Sequence, residues 1–305
     1  MAKNIRHSFR ELAATALILL AAGVMTGCQH PGQDTKDSDE DNQQVLRIGV
    51  NLPSPGLISG ISSDDVSGIE VDLAVAVAQE LDLISTDPEI AWVPMRADAI
   101  ADGLASGDLD FGIGQLQPAE PNDDVAWVGP YVDVTAALLV RADSQEAIGD
   151  DTITLADTVV TSLADLDESA VCIVEGSAAQ GVKIPADEMI TQRTVSECET
   201  GMRSGRYDAV AADDLQLAGV LVDKSRTESY QMLKWPELTD DDDAQTATDQ
   251  YWIGTTPQHC EAAALALQQL AEDGTLDELL NPWDKSLDYS PALVQAGDIS
   301  AESCS

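Results

Sequence analysis

Aromatic side chains are scarce, at 4% of 305 residues with only two Phe, while hydrophobic residues reach 44%. Any core must therefore be aliphatic and alanine-rich. Positive charge is scarce too: 15 Lys and Arg face 55 Asp and Glu, a net charge of −40. Without the first 27 residues the balance is 12 against 54, or −42. Phosphate binding needs clustered bases, so nucleic acid is excluded as a partner. Adhesion to anionic lipid through a basic patch is excluded on the same ground. Histidine occurs only as His7, His30 and His259. No Ser-His or Cys-His pair can be assembled from these, and no His-Cys spacing suggests a metal site. The acidic excess reads as a solubility device.

The N-terminus is a targeting segment. Lys3, Arg6 and Arg10 precede the apolar run Leu12–Val24, which is shorter than the roughly 20 residues of a membrane-spanning helix. The run ends in Met25-Thr26-Gly27-Cys28. Small residues before a cysteine resemble the lipobox of bacterial lipoproteins, so residues 1–27 are expected to be removed and Cys28 acylated. Gln29 to Gln44 lacks apolar periodicity and reads as a tether (28–45), about sixteen flexible residues reaching roughly 20–25 Å.

Beyond Cys28, Cys172, Cys198, Cys260 and Cys304 remain. An even number in an exported chain implies two disulfides, and four cysteines allow three pairings. Cys172–Cys198, both in the second α/β stretch, and Cys260–Cys304 are favoured, with the tail from Ser286 wrapping back.

Two α/β stretches follow one another. The first alternates strand and helix from about Leu46 to Ile113. Its helix after Gly68 carries a stripe of Ile69, Leu73, Val77 and Leu81. The second runs from about Thr161 to Asp213. Between them, Val125 to Val140 is β-branched and apolar after Gly129-Pro130, a buried strand that leaves one domain for the next. Alternation of this kind predicts parallel sheets. The expected domains are 46–133 with 246–305, and 134–245, with Tyr251–Gly254 as the returning strand. A cleft would lie between them, where the carboxyl ends of strands present loops to a ligand. Gly176-Ser177, between strand and helix, offers an N-cap and free N–H groups. Asp213 ends a buried strand beside its neighbour Asp214. The Asp240–Asp243 run lacks cation-ligand spacing and reads as a solvated loop.

The order of these pieces resembles the extracellular solute-binding proteins of the polar-amino-acid ABC importers. The matching stretches are Ile48-Gly49-Val50 with Pro55-Gly56-Leu57, Gly68-Ile69-Glu70-Val71-Asp72-Leu73-Ala74, and Leu104 to Phe111. They continue through Gly129-Pro130-Tyr131, Val171 to Ser177, Ser196-Glu197-Cys198, Tyr207 to Asp214 and Glu272-Asp273-Gly274-Thr275. The cysteines at 172 and 198 look most like the actinobacterial glutamate-type members. The resemblance implies a two-domain type II periplasmic-binding fold, no cofactor, ABC permease subunits as partners, and a monomer at the outer face of the cell membrane. It also implies contact of Asp213 with the ligand's α-amino group, and of Ser177, Gln115 and Gln117 with its polar atoms. Leu52 stands where a pocket aromatic is expected.

One departure matters. Family members carry an arginine after the third strand that grips the ligand carboxylate. Here the segment reads Pro118-Ala119-Glu120-Pro121-Asn122-Asp123-Asp124, placing Glu120 or Pro121 there. Arg96 is the candidate substitute. The expected ligand is therefore cationic or zwitterionic with weak reliance on its carboxylate, captured as the domains close about strands near Asp133 and Asp249. A dehydratase-like enzyme on the same fold and a sensor without transport are the competing readings.

Overall fold

The computed structural model describes residues 45–51, 53–60, 62–81, 83, 90–118, 122–142, 160, 162–235, 247–283, 287, 289–302 and 304. The targeting segment with Cys28, most of the tether, Leu52, Glu120, Pro121 and the Asp240–Asp243 run lie outside them.

In chain order the elements are β1 (Leu46–Asn51), α1 (Ile69–Glu80), β2 (Ile90–Met95), α2 (Ala97–Ala105), β3 (Phe111–Leu116) and β4 (Ala126–Arg141). Next come β5 (Ala170–Val174), β6 (Glu188–Gln192), α3 (Val195–Arg203), β7 (Ala209–Asp213), α4 (Asp214–Leu221), α5 (Lys224–Thr227) and β8 (Tyr230–Lys234). The chain ends with β9 (Thr248–Thr255), α6 (Pro257–Glu272), α7 (Thr275–Leu280), β10 (Ala292–Leu293) and β11 (Ser300–Glu302). The expected helix after Ser177 is instead a single 3-10 turn, Ala178–Gly181. Gly181 and Pro185 explain this, because neither supports propagation of an α-helix.

The strands run in the order β2-β1-β3-β9-β4-β7-β5-β6. β1 pairs in parallel with β2 and β3, and β5 in parallel with β6 and β7. β9 is antiparallel to both β3 and β4. The 16-residue β4 joins the two halves. Its first part, to Thr135, pairs with β9, β10 and β11, and its second part, from Ala136, with β7 and β8. A strand serving two sheets is covered on both faces, which is why its sequence is a near-continuous apolar run. Asp133 and Asp249 stand at adjacent positions where β4 and β9 cross: Asp133 faces Gln250 and Val134 faces Asp249.

Each half has its own aliphatic packing. α1, α6 and α7 cover the first half, where Leu73, Val77, Leu267 and Leu276 are buried. Cys172, Val195, Cys198 and Met202 pack in the second half. The all-buried α4 belongs to both: Leu215 and Ala218 join the first core, and Leu217 and Val220 the second. Its close approach to the β1–α1 loop requires Gly219, where a Cβ would sit 2.1 Å from the Pro55 carbonyl oxygen.

Both expected disulfides are present. Cys172–Cys198 ties β5 to α3 and Cys260–Cys304 ties the tail to α6, with Cα atoms 5.6 and 5.4 Å apart. The tail returns as β10 and β11 on β4.

Replacing Cys172 and Cys198 together by Ala is expected to cost about 3–4 kcal/mol through loop entropy, read by chemical denaturation. Gly219→Ala forces α4 away from Pro55 and is expected to cost roughly 1–3 kcal/mol, as overpacking does; an unchanged denaturation midpoint would contradict the close approach.

Candidate functional site

A cavity of about 360 Å³ opens between the two halves. Its walls come from strand carboxyl ends, as the parallel topology demands. Asn51 ends β1, Gln117 follows β3, Glu175 and Gly176 follow β5, Arg193 follows β6, and Asp213 ends β7. Asp98 and Trp127 add to the first wall, and Thr194 to the second.

Asp213 is 1% exposed. Its Oδ1 accepts the Ala178 N–H at 2.7 Å, and its Oδ2 accepts the Tyr251 hydroxyl at 2.6 Å. Burial pushes its pKa up to about 7, opposed by these two hydrogen bonds and helped by the nearby charges of Asp214 and Asp249. Asp214 differs in partners: it accepts the N–H groups of Thr135 and Leu215. Burial raises its pKa as well.

Ser177 does not present the expected free anion site. Its hydroxyl donates to the Val174 carbonyl at 2.7 Å and caps nothing, while the next N–H, of Ala178, is spent on Asp213. A buried carboxylate without an adjacent base takes the nearest donors, and here those are the donors of the turn.

Gln115 and Gln117 both line the cavity. Gln115 has φ 53, a left-handed conformation that a non-glycine residue holds only under local compulsion. That compulsion is Glu70, on α1 and 0% exposed, which accepts the Gln115 N–H at 3.0 Å together with its side-chain amide and the Tyr131 hydroxyl. Desolvation raises the pKa of Glu70. The Tyr131 and Tyr251 rings lie 6.2 Å apart, so the Glu70 and Asp213 groups flank a tyrosine pair beneath the cavity. Gln117 reaches across: its amide donates to the Gly176 carbonyl at 2.9 Å and to Asp249 at 2.5 Å.

Arg96 does not line the cavity. Its guanidinium binds both oxygens of Asp98 at 2.9 Å, a bidentate pair that holds Asp98 below its ordinary range. Glu70, in the stretch Gly68–Ala74, carries no local signal in the sequence that marks it as an organiser of the site. Sequence reasoning also missed Arg193. The signal for the latter was Thr194-Val195-Ser196-Glu197, a capping pattern that marks a helix start directly after it. Among the described residues lining the cavity, Arg193 is the one base.

The model for bacterial extracellular solute-binding proteins, family 3, matches residues 46–286. No curated protein sequence matches the chain. Among solved structures, the substrate-binding protein of an amino acid ABC transporter aligns with a TM-score of 0.58 at 18% identity, over 79% of this chain and all of that one. A substrate-binding protein of an ABC uptake transporter from Streptococcus pneumoniae, with bound histidine, aligns at 0.59 and 17%, over 83% and 95%. An ancestral amino-acid-binding protein, described as a precursor of cyclohexadienyl dehydratase, aligns at 0.58 and 20%, over 81% and 96%. The mixed α/β architecture matches the type II periplasmic-binding fold of these structures, and the chain belongs to the bacterial extracellular solute-binding proteins, family 3.

Proposed function

We propose that this chain is a lipid-anchored receptor that captures a small amino-acid-like solute in the cleft and delivers it to an ABC importer. The observation that carries the reading is the cavity walled by five strand ends with Asp213 at its floor. Residues 46–133 with 246–305 and residues 134–245 act as the two closing domains. Their hinge is the β4–β9 crossing, where the Gln250 amide donates to Asp133 at 2.7 Å. Closure is latched by Gln117 on Gly176. The solute carries a cationic nitrogen that meets Asp213, with Gln115 and Gln117 as further contacts. The solved neighbours from an amino acid ABC transporter and with bound histidine support this class of ligand. Cys28, acylated after removal of residues 1–27, holds the receptor at the outer membrane face.

A second reading, a lyase on the same scaffold, draws on the Asp213 pKa near 7, which suits proton transfer, and on the dehydratase precursor among the neighbours. Turnover of a bound solute would establish it; capture without turnover supports the receptor.

Four outcomes are expected. Asp213→Asn should weaken binding of the best amino-acid ligand by about 30-fold or more, since an unpaired buried charge partner costs roughly 2–5 kcal/mol; equal affinities in calorimetry would remove Asp213 from the site. A ligand ammonium favours ionised Asp213, so wild-type affinity should rise with pH up to about 7, by at most about tenfold per unit. The ligand-free protein should behave oppositely. Its folded-state pKa lies above the unfolded value, so the contribution of Asp213 to stability is full below about 4 and is lost as pH rises through about 7, a loss that Asp213→Asn abolishes. Finally, mass spectrometry of the mature protein should find a lipid on Cys28, and an unmodified N-terminus elsewhere would refute the anchor.

A further inference from the structure

We infer that Arg193 is the residue that takes the solute's carboxylate, and that it does so from the second half of the molecule, opposite the wall on which the family resemblance places an arginine. The inference rests on the receptor reading and specifies its ligand: an amino acid with a single carboxylate, neutral or basic in its side chain.

β6 pairs in parallel with β5, with Gln192 opposite Val174. Arg193 therefore leaves the sheet at the level of Glu175 and Gly176, whose place in the cavity wall it shares. Its main chain is fixed. The Arg193 N–H donates to Glu197 at 3.1 Å, and the Thr194 hydroxyl accepts the Glu197 N–H at 3.2 Å. The helix that follows, α3, is anchored to β5 through Cys198–Cys172. The fixed main chain removes backbone ordering from the cost of gripping a ligand and leaves the side chain's own rotamer entropy.

Other arginines are engaged. Arg96 holds Asp98, Arg47 holds Asp110, and Arg203 and Arg226 both approach Glu199. Arg141 donates to the Met202 carbonyl. Arg193 is exposed, and among the described residues none pairs with its guanidinium. A planar fork of donors over a cleft is suited to a carboxylate, which it can bind through two parallel hydrogen bonds.

The rest of the wall sets the class. Asp213 supplies the complementary negative group for an ammonium, and Glu175 adds a second. A second carboxylate on the ligand would find no further base among the described lining residues and would face Glu175. A decarboxylated amine would leave Arg193 unanswered. Both charges of an amino acid are thus met at the carboxyl ends of β6 and β7, so the solute loads on this wall, and Gln117 reaches Gly176 as the other wall closes over it.

The experiment uses the mature full-length chain. The twenty common amino acids are screened by calorimetry, and the tightest binder is compared with its own carboxamide on wild type, Arg193→Gln and Arg193→Lys. Arg193→Gln should weaken the acid by about 30-fold, as loss of a charge-assisted bidentate contact does, and change the carboxamide by less than about twofold. Arg193→Lys should recover part of the loss, and glutamate and aspartate should rank below the neutral and basic amino acids. Unchanged affinity of Arg193→Gln for the acid, or equal wild-type affinity for acid and carboxamide, overturns the role of Arg193 and leaves the receptor reading standing. Failure of every amino acid to bind wild type overturns the receptor reading and this inference with it. Because Arg193 is exposed, thermal midpoints of the variants should match wild type, which separates loss of contact from loss of fold.

Discussion

The burial of Asp213 is the constraint around which this molecule is assembled. A carboxylate sealed from water needs donors, and this one draws them from two directions: the Ala178 N–H beyond β5 and the Tyr251 hydroxyl on β9. The first ties neighbouring parallel strands of the second half. The second ties that half to a strand that also pairs with β3. One side chain therefore couples the floor of the cleft to the strand that crosses between the halves. Two neutral-type hydrogen bonds only partly offset desolvation, so its pKa is pushed up to about 7.

Glu70 repeats the arrangement on the other side of the tyrosine pair. Its three donors come from Tyr131 on β4 and from Gln115 on β3, and they impose the unusual backbone of Gln115. The strained residue is thereby placed on the cleft surface, where Gln117 two residues on can bridge to the opposite wall. Position in this site is set by acids bound to tyrosines and amides. That economy of base suits a chain with 15 Lys and Arg in 305 residues.

Strand topology explains why the site lies where it does. Parallel strands β1, β3, β5, β6 and β7 all deliver their carboxyl ends to one crevice. β4 contributes to both sheets and β9 runs antiparallel beside it, so these two strands join the halves. α4, shared by both cores, limits how far the halves can part without exposing apolar surface.

Much of this was legible in the order of residues. The unbroken apolar run of β4 marks the shared strand. Both disulfides followed from cysteine parity and region. β6 and β8 escaped notice because their faces are half exposed and their pattern is mixed. The turn after Ser177 was read as a helix because N-cap chemistry is local, whereas the loss of its donors to Asp213 depends on a residue 35 positions away. Arg96 and Arg193 are both arginines at a strand-to-helix turn. The partner of Arg96 is local, Asp98 two residues on, whereas only the pairing of β6 with β5 sets Arg193 on the cavity wall beside Glu175 and Gly176. Local propensity and hydrophobic pattern determined the elements and their sequence. Which groups from distant strands meet at the cavity was decided by distances that exist only once the chain is folded.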